Sequence, residues 1–347
     1  MKKIKLLDCT LRDGGYINNW EFGKNHIVET ICSLEKTNSD IIELGFLRDE
    51  SYTEDRTVFS TIEQMSVFIP NKQQGIEYAA MVEAMKPYPF EKLPEHSDKT
   101  IDIVRVMVWK DMHDENGKIV DALNPGFEVC KKYADKGYKV FVQPVRVEQY
   151  SDLEFIKLIE LFNELNPAAF YIVDSWGTMY SDDVLHYVQI ADKYLKKGIA
   201  IGYHGHNNLM QAFANAVDFV SGNIDRELIV DSSVYGIGRG AGNLNSEIFA
   251  RYLNERQNGK YNIQPFLSIY DNCVKEVFKV HNWGYSLGYF LTGQYHVNPQ
   301  YATQYENEGV SSCVIDKVLC DMSKENKVMY SKQTAQKLYD DYSSKNK

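Results

Sequence analysis

A chain of 347 residues, 44% hydrophobic and 25% charged, has the apolar content for one large barrel or two average domains. Its formal net charge of −10 argues against nucleic acid or an anionic membrane as a main partner, because both demand a basic face. No apolar run approaches the roughly 18 residues that span a bilayer, and the six cysteines, with no C-x-x-C pair, read as reduced thiols rather than a disulfide frame.

The amino end, MKKIKLLDCT, carries two early lysines, but Lys5 breaks its apolar stretch and Asp8 ends it. No secretory segment is therefore expected, and a cytoplasmic enzyme is. Short β-branched or aromatic runs then recur along the chain. They predict strands at Ile4–Asp8, Asp40–Phe46, Ile76–Val82, Ile101–Val108, Tyr138–Pro144, Ala168–Asp174, Ile199–His204 and Leu228–Val234. Continuous runs such as VRVMVW and YKVFVQP fit parallel strands covered on both faces. Between them, SDLEFIKLIELFNEL places apolar residues at helical spacing, with Ser151 as an N-cap. The expected fold is therefore a (β/α)₈ TIM barrel over 1–264. The rhythm stops after Gln264, and 265–347 reads as an appended C-terminal helical subdomain. A doubly wound open sheet is the alternative. Chemistry-capable residues at many strand ends (Asp13, Glu43, Asp174, His204, Asn243) suit a closed ring better.

In chain order the first chemical signal is LDCTLRDGGY, where two glycines after Arg12-Asp13 allow a sharp turn that points a cation and an anion inward. Glu43 closes IIELGF; a charged residue after an apolar run needs a partner, and Arg12 is the obvious one. Asp174-Ser175, in VDSWGTM, can either hydrogen-bond a substrate carboxylate or cap the following helix. In YHGHNN, His204 and His206 lie two apart, so an extended backbone aims both at one point. The first and seventh strands are separated only by the eighth, roughly 10 Å around the ring, so Asp13 can join the two histidines over one ion. Finally, YGIGRGAGNLNSE has glycines spaced two apart, unlike a dinucleotide fingerprint or a P-loop. It can build a phosphate site or let Asn243 offer its oxygen to the metal, and the second use is preferred.

Two imidazoles, a carboxylate and an amide oxygen suit Mn²⁺ or Mg²⁺ first, with Zn²⁺ or Co²⁺ as alternatives; the lack of thiolates argues against structural zinc. Such an ion can chelate a 2-oxo acid and, with Arg12, stabilise the enolate that forms as a carbon–carbon bond breaks. Two histidines and a carboxylate also describe non-haem iron oxygenases, which the barrel context disfavours.

Together DCTLRDGG, IIELGF, GYHGHNN and GRGAGN resemble the DRE-TIM metallolyases over roughly residues 1–260, with YAAMV and VDSWGTM most similar to the 4-hydroxy-2-oxovalerate aldolase branch. The resemblance implies metal ligands at Asp13, His204 and His206 with Asn243 a further candidate, enolate stabilisation by Arg12, and Glu43 holding Arg12. It implies cleavage of a 4-hydroxy-2-oxo acid to pyruvate and an aldehyde. Where those aldolases place a histidine base this chain has Tyr16, so Tyr16, or His281, Tyr285 or His296 from the tail, is expected to move the proton. Acyl-CoA-dependent condensing synthases place Glu-Gln where this chain has Gly15-Tyr16, and carry a regulatory domain that this length does not hold. Hydroxymethylglutaryl-CoA lyase has a cysteine in the strand-eight loop that is missing here. A Claisen-type synthase and a non-catalytic metal-binding interaction module are the competing readings. The branch's C-terminal helical region contacts a partner dehydrogenase; this tail differs from it, so that partner is not carried over. A homodimer is expected only on general frequency.

Overall fold

The structure is a computed structural model that describes residues 3–345 apart from Pro87 and 114–118. Eight parallel strands form its centre: β1 (Ile4–Asp8), β2 (Ile41–Leu47), β3 (Glu77–Glu83), β4 (Ile103–Val108), β5 (Lys139–Pro144), β6 (Ala169–Asp174), β7 (Ala200–Gly205) and β8 (Leu228–Ser232). Each pairs with the next, and β1 pairs with both β8 (Ile4 opposite Leu228) and β2 (Leu7 opposite Ile41), which closes the ring. This is a TIM barrel, and its strands fall within two residues of the predicted ones.

Helices cover most of the outer face: α1 (Lys24–Lys36), α2 (Ile62–Ser66), α3 (Leu123–Asp135), α4 (Asp152–Leu165), α5 (Ser181–Tyr194), α6 (Ala212–Ser221) and α7 (Ser246–Arg256). As expected, Ser151 starts α4, and its N–H and hydroxyl both donate to Glu154 at 2.9 Å. The regular alternation lapses between β3 and β4, where the described residues hold only a 3₁₀ turn, Phe90–Lys92. Prolines at 89 and 94 account for this, since each lacks an N–H and disfavours helical geometry in the residue before it.

After α7, helices continue from Gln264–Ile269 to Lys332–Lys345. Phe266, Ile269, Cys273 and Val274 join the hydrophobic core of the barrel, whereas Leu291, Val297, Tyr301, Tyr305, Ile315 and Leu319 form a second cluster. Among the described residues no helix is long and apolar enough to cross a membrane.

Candidate active site

β1 runs out of the barrel into a single helical turn, Thr10–Asp13, which buries Arg12 and Asp13 at the mouth. His204 ends the interior face of β7, and His206 follows it, its N–H donating to the Asp174 carbonyl at 3.2 Å. One ligand atom each from Asp13, His204 and His206 lies within 4.8 Å of the others, and all three residues are buried. The predicted triplet therefore converges from two distant segments.

The second nitrogen of each imidazole fixes its tautomer. His204 Nδ1 faces the Asp231 carboxylate at 3.0 Å, and His206 Nδ1 faces the Arg239 carbonyl at 3.1 Å. Both partners only accept, so both Nδ1 atoms carry a hydrogen, and Nε2 is the atom each ring turns toward the cluster. Those two Nε2 atoms stand 3.4 Å apart. Burial lowers the His206 pKa to about 3, so its Nε2 presents a lone pair toward the space between the two rings and Asp13. Burial opposes ionisation of Asp13 as well, but Arg12, helped by the hydrogen bond from Asn243, outweighs it and holds the carboxyl well below its usual range. Cys9 is no competing ligand. Its Sγ donates to the Ser232 carbonyl at 3.2 Å, and burial raises its pKa well above the usual thiol value.

Beneath this cluster lies a layer of side chains from alternate strands, the arrangement a barrel interior imposes. Here the layer is polar: Glu43 (β2), Arg105 (β4), Tyr171 (β6) and Asp231 (β8), all buried. Arg105 donates to Glu43 at 2.8 Å and forms an ion pair with Asp231. Its guanidinium carbon sits 4.9 Å from the Tyr171 ring centroid, and the Tyr171 hydroxyl donates to Asp231 at 3.1 Å. Arg12 Nε donates to the same Glu43 oxygen at 2.8 Å, and Arg12 Nη1 pairs with Asp13. A continuous chain of polar contacts thus runs Asp13–Arg12–Glu43–Arg105–Asp231–His204 and ties one candidate ligand to another. Sequence reasoning joined Glu43 to Arg12 and missed Arg105 and Asp231. The signal was a lone arginine in VRVMVW and a lone aspartate in LIVDSS, each out of place in an apolar strand unless paired.

A cavity of about 290 Å³ opens above the cluster, lined by Arg12, Asp13, His204 and His206 together with Tyr16 and Ser175. Tyr16 also borders a neighbouring cavity that holds His281 and Tyr285. It packs edge-on against Trp20 and Phe46, and burial raises its pKa, so the phenol keeps its proton at neutral pH. His296 is exposed and lines neither cavity. Ser175 Oγ accepts the Arg146 N–H at 3.0 Å, leaving its own hydroxyl hydrogen free to donate.

Two expectations meet a different geometry. Asp174 does not line the cavity; its carboxylate accepts the N–H groups of Thr178 and Met179 at 2.9 and 3.1 Å, and burial raises its pKa to about 7. It stabilises the turn after β6, as the capping alternative has it, although the next helix starts only at Ser181. Asn243 points its Nδ2 at Asp13 (2.8 Å) and at the Ile237 carbonyl (3.1 Å), while its Oδ1 is buried without a hydrogen-bond partner. In this orientation it holds Asp13, and its unpaired oxygen is the atom a cation would satisfy. The tail also reaches the site: Asn298, Gln300, Val328, Met329 and Tyr330 complete the cavity wall.

The HMGL-like family model matches residues 3–272. A 4-hydroxy-2-oxovalerate aldolase of Shewanella pealeana is 25% identical over 260 residues, covering 74% of this chain and 72% of its own. An oxaloacetate decarboxylase of Mycobacterium tuberculosis is 22% identical over 266 residues, covering 72% and 70%. Among solved structures, the N-terminal domain of a candidate aldolase from Bacteroides vulgatus superposes with a TM-score of 0.72 at 21% identity, covering 89% of this chain and 99% of that domain. With the barrel closed and its motifs gathered at one mouth, the chain belongs to the HMGL-like family.

Proposed function

We propose that this lyase is a divalent-metal-dependent aldolase that cleaves, or forms, a 4-hydroxy-2-oxo acid, with pyruvate as one product. The observation that carries the reading is the convergence of His204 Nε2 and His206 Nε2, 3.4 Å apart, with the Asp13 carboxylate, one ligand atom of each lying within 4.8 Å of the others. Asp13, His204 and His206 would hold the ion, with the orphaned Asn243 oxygen a further donor. The nitrogen and oxygen donors suit Mn²⁺ or Mg²⁺ foremost, and Zn²⁺ or Co²⁺ as well. When bound, the ion supplies Lewis-acid stabilisation of negative charge on the carbonyl oxygen of a 2-oxo acid.

The chain's own groups then divide the work. In cleavage, the proton leaves the C4 hydroxyl, the C3–C4 bond breaks, and its electron pair passes through C2 to the carbonyl oxygen. The enolate takes up a proton at C3 to give pyruvate, and the other fragment leaves as an aldehyde. Glu43 and Asp13 grip Nε and Nη1 of Arg12, so the guanidinium is set in place before the charge develops. Ser175 donates to the carboxylate of the 2-oxo acid. Tyr16, which lines the cavity and keeps its proton at neutral pH, is the group we assign to relay the proton at the C4 oxygen. In condensation it gives its proton to the aldehyde oxygen and regains one from water, and in cleavage it takes the C4 hydroxyl proton while passing its own to water. The names of the aldolase and decarboxylase relatives support this reading, because both reactions release pyruvate by breaking a bond beside a ketone.

Calorimetry tests the binding half of the proposal. Pyruvate is expected to bind the Mn²⁺-loaded protein and to give no heat of binding with metal-stripped protein. Equal binding by both forms would remove the ion from the site's chemistry.

A further inference from the structure

The cavity wall carries more positive charge than a pyruvate-binding site requires. In a protein of formal net charge −10, the charged residues lining it are three arginines (Arg12, Arg146, Arg239) and one carboxylate, Asp13. Asp13 is already paired with Arg12. The other two arginines face no acid on that wall, and both belong to built surroundings.

Arg146 follows β5, and in an eight-stranded ring β5 lies opposite β1, which carries Arg12 and Asp13. It is 8% exposed, and its guanidinium carbon sits 3.6 Å from the Trp176 ring centroid, a stacked geometry that holds the plane of the group fixed. Its backbone is in the left-handed region (φ 56°, ψ 65°), which a non-glycine residue adopts only where its surroundings enforce it. Glu148 takes Nε at 3.0 Å, while among the described residues neither Nη group meets an acceptor. Arg239 has no carboxylate partner among the described residues; its Nη2 donates to Asn298 Oδ1 at 3.1 Å, a neutral contact from the tail. Two clamped cations on the wall, one of them across the mouth from Arg12, are suited to a second anion on the same substrate.

We propose that Arg146 and Arg239 form a distal anion subsite that receives a carboxylate at the far end of the 2-oxo acid, so that the aldehyde fragment is itself an oxo acid. The inference rests on the aldolase reading above and names its substrate class. The free planar edge of Arg146 matches a carboxylate in two-pronged fashion. A methyl group in the same place would leave the buried Arg146 and the half-buried Arg239 against apolar surface, so the site discriminates against neutral aldehydes.

Two inert analogues of equal length separate the possibilities. The affinity of the Mn²⁺-loaded full chain is measured by calorimetry for 2-oxoglutarate, which ends in a carboxylate, and for 2-oxopentanoate, which ends in a methyl group. The dianion is expected to bind at least about 50-fold tighter, and Arg146→Met and Arg239→Met should each shrink that ratio by about 10-fold or more. Thermal unfolding of each variant shows whether the fold persists, and the wild-type ratio decides even if a variant does not fold. Equal affinities for the two analogues overturn the subsite, as does a ratio that both folded variants preserve. Condensation of pyruvate with glyoxylate against acetaldehyde then separates the two ideas. Turnover of both aldehydes at similar rates overturns the subsite and leaves the aldolase standing. Tight 2-oxoglutarate binding with turnover of neither keeps the subsite and overturns the aldolase.

Discussion

Arg105 joins Glu43 to Asp231 inside the barrel, and through them it steadies both Arg12 and His204. Burial alone would lower its pKa, but the two carboxylates outweigh that, and the guanidinium stays charged. Replacing it with methionine leaves two buried carboxylates without their cation, which costs about 3–5 kcal/mol. Arg105→Met should therefore lower the unfolding free energy by that amount in denaturant titrations. Arg105→Lys should recover little, because one ammonium cannot reproduce a fork that reaches two carboxylates. A methionine variant as stable as the parent would mean that the charged layer is dispensable to the fold.

At the scale of elements, the site depends on how strands end. β2 carries an irregularity between Glu43 and Phe46, with Gly45 at φ 151°; a Cβ there would meet the Thr57 carbonyl at 2.0 Å. Such a bulge re-aims neighbouring side chains, and it lies next to the residue that grips Arg12. After β8, Gly238 keeps its loop against the candidate ligands: a Cβ would come within 2.3 Å of Asn243 Nδ2 and 2.7 Å of Asp13 Oδ2. Gly238→Ala should weaken Mn²⁺ binding about 10–100-fold in calorimetric titration by displacing Asp13 and the amide that holds it. Unchanged affinity would show that Asp13 is not positioned through this loop.

Those elements also show why some of the site was legible in the sequence and some was not. Strand alternation and chain order were enough to bring Asp13, His204 and His206 together, because both are set by backbone geometry. Arg105 and Asp231 were hidden in apolar runs: in a strand buried on both faces, a charged side chain does not disturb the pattern that marks the strand. The role of Asp174 depended on a hydrogen-bonded turn that only the three-dimensional path reveals, and the amide orientation of Asn243 on its neighbours. Arg146 owes its place to a left-handed backbone at a non-glycine residue, for which no sequence pattern gives warning.

At the scale of the whole molecule, the barrel supplies the cluster of Asp13, His204 and His206, and the helical tail closes the space above it. Asn298 and Gln300 at one turn, and Val328 to Tyr330 at another, form the wall that no barrel strand provides. The reaction chemistry can be tested without knowing the far end of the substrate. The most direct measurement is exchange of the pyruvate α-protons in D₂O, followed by NMR, on protein stripped of metal and then given Mn²⁺. Exchange is predicted only with the ion present, abolished in His204→Ala and slowed at least about 100-fold in Arg12→Ala. Protein that binds the ion and never exchanges those protons, or that exchanges them equally well without it, would contradict a metal-assisted enolate.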